Sequence, residues 1–97
     1  MITLRMYRKG AETILAACDK ELIGKMLREG DLKLEVCASF YEGEDADEEM
    51  LLNRLRNASI ANLVGEETVA IAAKHNLIKE DCVMRISGVP HVQLVKM

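Results

Sequence analysis

Residues 2–18 read ITLRMYRKGAETILAAC and contain two apolar segments on either side of a turn at Gly10. In the first segment Ile2, Leu4 and Met6 alternate with other residues, a pattern typical of a strand with one buried face. The second segment is almost continuously apolar and is also typical of a strand. We therefore predict a β-hairpin at the N-terminal end of the chain.

A second hairpin is predicted at the other end. CVMRIS (82–87) and HVQLVKM (91–97) are apolar segments of strand length, and GVP (88–90) joins them. Gly88 can adopt a positive φ, while Pro90 has a fixed φ and no backbone donor, so the joint favours a corner. The GVP segment directly precedes His91, so it is also a candidate for the floor of a binding site.

Residues 19–36 allow two interpretations. Asp19 is a residue type favoured at helix N-caps, and apolar residues follow it at helical spacing. One interpretation is a single helix that ends at Gly30. The interpretation that we favour is a short helix that ends near Gly24, because glycine commonly ends helices, followed by an extended segment. LKLEV (32–36) alternates and predicts a further strand.

Two helices are predicted in the middle of the chain. DEEMLLNRLRNA (47–58) has an apolar stripe, and EETVAIAAKHN (66–76) has acids in its first turn and basic residues in its last. SIANLVG (59–65) favours no single element. This order of elements predicts an α+β fold: a mostly antiparallel sheet with terminal hairpins and two central helices packed on one face. We expect one domain over residues 1–97.

Four separated blocks of the chain resemble one family of small archaeal proteins, catalogued as domain of unknown function 424. The blocks are CDKELIGKMLREGDLKLEV, SFYEGE, ANLVGEETVAIA and RISGVPHVQ, in that order. The sequence departs from the family pattern at Glu42, where a glycine or another small residue is expected. The resemblance implies a stand-alone intracellular domain of about this length, and it implies no activity.

Composition narrows the class of partner. The net charge is −3, and the sequence pI is about 5.4, which disfavours coating of duplex DNA by bulk charge. No apolar run approaches the roughly 20 residues of a membrane span, and the N-terminus lacks the apolar core of a secretory signal. We therefore expect a cytoplasmic protein that binds neither a membrane nor duplex DNA.

Strand parity predicts a candidate binding face. If the first strand and the last two share a sheet, the residues that alternate with the apolar ones lie together on its open side. These residues are Arg5, Tyr7, Arg85, His91 and Gln93, with Pro90 at the turn. Guanidinium groups and an aromatic ring on an open sheet can bind single-stranded RNA through phosphate contacts and stacking. The first functional hypothesis is therefore an accessory factor for RNA or a ribonucleoprotein.

The alternative hypothesis is a protein–protein adaptor or a homo-oligomeric module without catalytic activity. Its contact is expected at an edge strand or at an apolar patch. The candidate patch lies in the acidic loop SFYEGEDADEE (39–49), where Phe40, Tyr41 and Gly43 are the proposed contact residues.

Catalytic, metal and cofactor sites are not predicted. The three cysteines are widely spaced and form no C-x-x-C motif, and the acidic loop lacks the EF-hand pattern. Gly65 precedes a helix whose first residues are glutamates, which would repel phosphate. A third hypothesis, an enzyme that uses Cys82 as nucleophile and His91 as base, needs a hydrogen-bonded pair and an orienting group.

Overall fold

The two predicted hairpins lie in one six-stranded sheet in the computed structural model, which describes residues 1–96. The spatial order of the strands is β5-β1-β2-β6-β8-β7. Their bounds are β1 Ile2–Lys9, β2 Glu12–Asp19, β5 Glu44–Ala46, β6 Ile60–Val64, β7 Met84–Ile86 and β8 Val89–Val95. All neighbouring strands are antiparallel except β2 and β6. The predicted α+β fold with a mostly antiparallel sheet and terminal hairpins is confirmed.

Strand β6 is the segment that the sequence left undefined. It lies at the centre of the sheet between β2 and β8. Four of its five residues are apolar and they lie on both faces of the sheet, which leaves little alternation to recognise. Its parallel pairing with β2 requires a crossover connection, and that connection contains the first long helix.

Two helices cover one face of the sheet, as predicted. They are α2 Glu48–Asn57 and α3 Glu66–Lys74. Their apolar residues pack with Leu4, Leu15 and Leu63 of the sheet to form the first core. Helix α2 begins after Asp47, whose Oδ1 accepts a hydrogen bond from the backbone N of Met50 at 2.8 Å.

The opposite face of the sheet is partly covered by a second layer that the sequence did not predict. This layer consists of a separate hairpin, β3 Met26–Glu29 and β4 Leu32–Glu35, and the short helix α1 Ala38–Tyr41. Residues of the layer, including Leu27, Val36 and Tyr41, form a second core against the sheet. The favoured interpretation of residues 19–36 is confirmed, because a 3-10 helix at Lys20–Leu22 precedes the extended hairpin.

The C-terminal hairpin turns earlier than its sequence predicts. Ser87 and Gly88 have φ values of 55° and 81°, and strand β8 begins at Val89. Pro90 therefore lies inside a strand, where its carbonyl accepts a hydrogen bond from the backbone N of Gly65 at 2.9 Å. In an antiparallel strand the N and C=O of one residue point toward the same neighbouring strand. The C=O of Pro90 points toward the β6 side, so the backbone N–H that Pro90 lacks is not needed for pairing with β7. The predicted last strand extended to Met97, which is outside the described residues.

No helix within residues 1–96 is long and apolar enough to cross a membrane.

Candidate functional site

On strands β1, β2, β6, β8 and β7, the strand register places three rows of side chains on the sheet face opposite α2 and α3. The first row is Tyr7, Ile14, Ile60 and Val95; the second is Arg5, Ala16, Asn62 and Gln93; the third is Thr3, Cys18, Val64, His91 and Met84. Four of these side chains are buried, and the others remain partly or largely accessible. We call the accessible set the open face: Arg5, Tyr7, Ile14, Ile60, Asn62, Met84, His91, Gln93 and Val95.

Two of the predicted site residues lie on the other face, and the prediction that they join the open face is wrong. Arg85 pairs with Pro90, and Met84 pairs with His91. Neighbouring residues of a strand point to opposite faces, so Arg85 and Pro90 lie on the side of α3. The prediction treated the sheet as having one core. Ile86 is buried as expected, but it packs into the second core. The side chains of β7 therefore point to the faces opposite to those predicted.

Tyr7 is held by contacts within the protein. Its ring stacks on Phe40, with centroids 5.3 Å apart, and the Cζ of Arg5 lies 5.2 Å from its centroid. Its hydroxyl donates hydrogen bonds to the carbonyl oxygens of Phe40 and Ser39, and Arg5 Nη1 donates to Ser39 O at 3.0 Å. These contacts fasten α1 to β1, so Tyr7 has little ring surface left for a ligand.

The predicted loop contact is mostly part of the second core. Tyr41 is 4% exposed, and burial raises the pKa of its phenol to about 12. Phe40 is half-buried between Tyr7 and Tyr41, and it meets the Tyr41 ring edge to face at 4.9 Å. Gly43 donates its N–H to Thr3 Oγ1 at 3.0 Å, and a Cβ there would lie 2.4 Å from the carbonyl oxygen of Leu4. The proposed exposed patch around Phe40 and Tyr41 is therefore not present.

The centre of the open face carries side-chain amides with free hydrogen-bonding capacity. Asn62 and Gln93 are direct cross-strand partners. Within residues 1–96 neither amide group makes a hydrogen bond to another part of the protein. The sequence did not predict Asn62 as a site residue, because residues 59–65 were not assigned to a strand. The available signal was a single amide side chain in an otherwise apolar segment.

His91 lies beside this pair, in surroundings that favour its neutral form. Its ring is half-buried, and burial lowers its pKa below the ordinary value of 6.5. A neutral imidazole has one donor and one acceptor nitrogen. The open face therefore presents neutral groups that can both donate and accept hydrogen bonds, with the cation of Arg5 at one side.

The open face also differs from the rest of the surface in charge. None of the nine accessible side chains of the open face is a carboxylate, whereas the chain contains 16 Asp and Glu residues; Asp45 of the edge strand β5 extends the third row beyond Thr3, and it is paired with Lys20. Acids concentrate elsewhere, for example at the first turns of α2 and α3. The accessible side chains of the open face thus do not themselves repel an anionic ligand, and the carboxylate at the β5 edge is balanced by Lys20.

A cleft of about 490 Å³ lies on the other side of the sheet. It runs between α3, the 3-10 turn Glu80–Cys82 and the hairpin of β7 and β8. Its apolar wall is made by Val69, Ala70, Ala73, Val83 and Pro90, and its charged residues are Glu66, Glu80 and Arg85. Pro90, which the sequence placed at a corner or in the floor of a site, lines this cleft.

The pair proposed for the enzyme hypothesis is not assembled. Cys82 is exposed at the end of the 3-10 turn, and no hydrogen bond within the described chain joins it to His91. Cys18 is fully buried, and burial raises its pKa to about 12, which leaves it as an unreactive thiol at neutral pH. Residues 1–96 contain no cluster of three or more His, Cys, Asp or Glu side chains that could hold a metal ion.

Comparison with known proteins gives a family and a fold. The family model described as "Protein of unknown function (DUF424)" matches residues 7–97. A crystal structure of an uncharacterized conserved protein from Methanopyrus kandleri superposes with a TM-score of 0.82 at 23% sequence identity. The match covers 99% of this chain and 93% of that one, and it shows that the two proteins share a fold. A search of curated proteins gave no match.

Proposed function

The chain belongs to the family described as protein of unknown function (DUF424), and we propose that it is a binding module for single-stranded RNA. The observation that carries the proposal is the make-up of the open face. On β1, β2, β6, β7 and β8 this surface holds no carboxylate, and Asp45 at its β5 edge is paired with Lys20; the surface combines an arginine with unpartnered amides next to accessible aliphatic side chains. Single strands expose base edges and base faces, and such groups are suited to contacting both.

Each part of the open face has a role in the proposed complex. Asn62 and Gln93 hydrogen-bond to the edges of one or two bases, since amides donate and accept. Ile60 and Val95, in the adjacent row, supply apolar contact to base faces. Arg5 contacts a phosphate, and its hydrogen bond to Ser39 O orients the guanidinium. The face holds too few cations to follow two phosphate backbones, which favours single strands over duplexes.

The test is fluorescence anisotropy with labelled ten-nucleotide homopolymers of RNA at two salt concentrations. We expect saturable binding that weakens about tenfold in the double variant N62A/Q93A, because base–amide pairs contribute roughly 1–3 kcal/mol. R5Q is expected to lower the affinity and to reduce the salt dependence by about one counterion.

The matched control is R85Q, which removes an exposed arginine from the opposite face. We expect this variant to bind RNA as the wild type does. Absence of saturable binding to any homopolymer would contradict the proposal, and so would an equal loss in R5Q and R85Q. Circular dichroism of each variant confirms that the fold is retained.

A homo-oligomeric or adaptor module is the second candidate, and a different feature of the open face favours it. Val95 is 64% exposed and Met84 50% exposed, and both lie on this face with the half-buried Ile60. Val95 and Ile60 are cross-strand partners, whereas Met84 lies two rows away, and exposed aliphatic side chains are typical of protein contact surfaces. Light scattering over a concentration series tests self-association: a dimer that V95D dissociates supports this candidate, and a monomer at every concentration removes its homo-oligomeric form.

A further inference from the structure

The cleft beside α3 has the geometry of a second binding site, on the sheet face opposite the proposed RNA surface. Its volume of about 490 Å³ is within the range of ligand pockets, and its lining combines five apolar residues with three charged ones. Two alanines of α3, Ala70 and Ala73, line it, and their small side chains let a ligand approach the helix closely. Pro90 and Val83 close the cleft from the side of the sheet.

The charges of the cleft are acidic overall and easily rearranged. Glu66 and Glu80 face a single cation, Arg85, whose Nη1 lies 2.9 Å from Glu66 Oε1. Both partners of this ion pair are more than half exposed, so the pair contributes little to stability. Glu80 has no ion-pair partner within residues 1–96.

Arg85 has a second acceptor, which keeps it in place if Glu66 exchanges partners. The same nitrogen, Nη1, donates to the carbonyl oxygen of Gly88 at 3.1 Å. An incoming cation can therefore take over Glu66 while Arg85 remains hydrogen-bonded to its own turn. The exchange replaces one exposed ion pair by another and costs little free energy.

From this arrangement we propose that the cleft binds a short peptide segment of a partner protein in which a lysine or arginine adjoins an aliphatic residue. The cation contacts Glu66 and Glu80, and the aliphatic side chain packs on Ala70, Ala73 and Val83, the apolar lining residues that are not buried. The occupant is a peptide with a basic side chain next to an aliphatic one, because the charge of the cleft that is unpaired within residues 1–96 is the carboxylate of Glu80 and apolar residues line the cleft beside it. The proposal does not depend on RNA binding, since the two surfaces lie on opposite faces of the sheet.

The experiment is a titration of the ¹⁵N-labelled protein with acetyl-Leu-Lys-Leu-amide, followed by NMR. Acetyl-Leu-Glu-Leu-amide and acetyl-Gly-Lys-Gly-amide are the matched control peptides. We expect saturable shifts of backbone amides in residues 66–73 and 80–89 with the Leu-Lys-Leu peptide. Binding of either control peptide is expected to be at least about fivefold weaker, since one loses the charge contact and the other the apolar contact.

Variants of the protein separate the charge contact from the apolar contact. E66Q/E80Q is expected to raise the Kd for acetyl-Leu-Lys-Leu-amide about fivefold or more. A70R, which puts a cation and a long side chain into the cleft, is expected to abolish binding. E49Q, which removes an exposed acid from α2, is the control and is expected to leave the Kd unchanged.

Three results would overturn the proposal. They are shifts that do not saturate, saturable shifts outside the cleft, and equal affinity for the lysine and glutamate peptides. Ala70, Glu66 and Glu80 are exposed, so the variants are expected to retain the wild-type pattern of amide shifts away from the cleft. A variant that loses this pattern is replaced by the single change E80Q, for which an unchanged Kd counts against the proposal.

Discussion

A single buried carboxylate, that of Asp19, connects the end of β2 to the start of α3. Asp19 is 4% exposed and accepts hydrogen bonds from the backbone N of Glu67 and from the backbone N and Oγ1 of Thr68, at 2.7–3.0 Å. The sequence predicted Asp19 as the N-cap of the segment that follows it. Its side chain makes no cap hydrogen bond there, and it caps a helix that begins 47 residues later.

The first prediction concerns the loss of this carboxylate. D19A leaves two backbone donors and a buried hydroxyl without their acceptor, so we expect it to lower the free energy of unfolding by about 2–3 kcal/mol. Urea denaturation measures the change. D45A is the control: Asp45 is exposed and pairs with Lys20, and its loss is expected to cost less than about 1 kcal/mol. Equal effects of the two changes would contradict this role of Asp19.

A second prediction concerns the glycine in contact with Asp19. Gly65 has a φ of 114°, and a Cβ there would lie 2.3 Å from the Cγ of Asp19. G65A is therefore expected to destabilise the protein through both the backbone strain and the clash, by about 3 kcal/mol or more. In D19A/G65A the clash is absent. We therefore expect the double variant to lose less unfolding free energy than the sum of the losses in D19A and G65A, by about 1 kcal/mol. Strict additivity in a double-mutant cycle would exclude the clash.

At the scale of elements, the turn between β7 and β8 determines which side chains face the proposed sites. Its two central residues both have positive φ, as the type I′ turn of a two-residue hairpin requires. The turn pairs Ile86 with Val89 and so sends Arg85 and Pro90 to the α3 side. A local turn thus decides the composition of two surfaces.

The third prediction follows from the residue at the first turn position. Ser87 has a φ of 55°, a conformation that asparagine adopts more readily than serine. S87N is expected to stabilise the protein by about 0.5 kcal/mol, measured as a higher urea midpoint. S87V, which puts a β-branched residue at the same φ, is expected to destabilise it by about 1 kcal/mol or more. The opposite order of the two variants would contradict the assigned turn.

The fourth prediction concerns His91 on β8. Burial lowers its pKa in the folded protein, so the unfolded chain binds a proton more readily than the folded one. The free energy of unfolding is therefore expected to fall as the pH drops below about 6.5, the ordinary pKa of histidine, and to level off below the folded pKa. H91Q is expected to remove this part of the pH dependence in denaturation curves from pH 8 to pH 5. An unchanged slope in H91Q would show that His91 is not the source.

A further fall in the free energy of unfolding, at the lower pH where carboxylates become protonated, is expected to have a separate origin. Glu48 at the start of α2 lies 2.8 Å from His75 Nε2 and 3.2 Å from Lys74 Nζ, both at the end of α3. These hydrogen bonds lower the pKa of Glu48, so its contribution is present above the ordinary carboxyl pKa and is lost as the pH falls through the lowered value. This window lies below that of His91, which keeps the two effects distinguishable.

At the scale of the whole molecule, the sheet separates two cores. The first lies under α2 and α3, and the second lies under α1 and the hairpin of β3 and β4. Strands β2 and β6 contribute alternate residues to both cores, as Ala17 and Cys18 illustrate. We therefore expect the two layers to unfold together with the sheet between them.

The fifth prediction tests this coupling. L51A in the first core and L27A in the second are each expected to lower the free energy of unfolding by about 2–5 kcal/mol. Both variants are expected to show one transition with the m-value of the wild type, since small single domains usually unfold in one step. An early separate transition in L27A, or a midpoint equal to that of the wild type, would show that the second layer is not part of the cooperative unit.

The sequence alone determined the class of this fold through patterns that are local in the chain. Apolar segments of strand length on either side of turn residues predicted both terminal hairpins, with clear alternation in the first strand. Helical spacing and an apolar stripe predicted α2 and α3. Each of these signals arises within one turn or one strand. The same patterns brought Arg5, Tyr7, His91 and Gln93 to one face. They did not bring Arg85 there, since a buried residue such as Ile86 can face either of two cores.

Only the tertiary structure decided the remaining features. The parallel pairing of β2 with β6, the capping of α3 by Asp19, the amide pair of Asn62 and Gln93, and the cleft beside Pro90 all depend on contacts between distant segments. The physical reason is that burial and hydrogen bonding select partners by position in space. The amino-acid pattern predicts that a side chain is buried or caps a helix. It does not predict which element covers that side chain or which helix it caps.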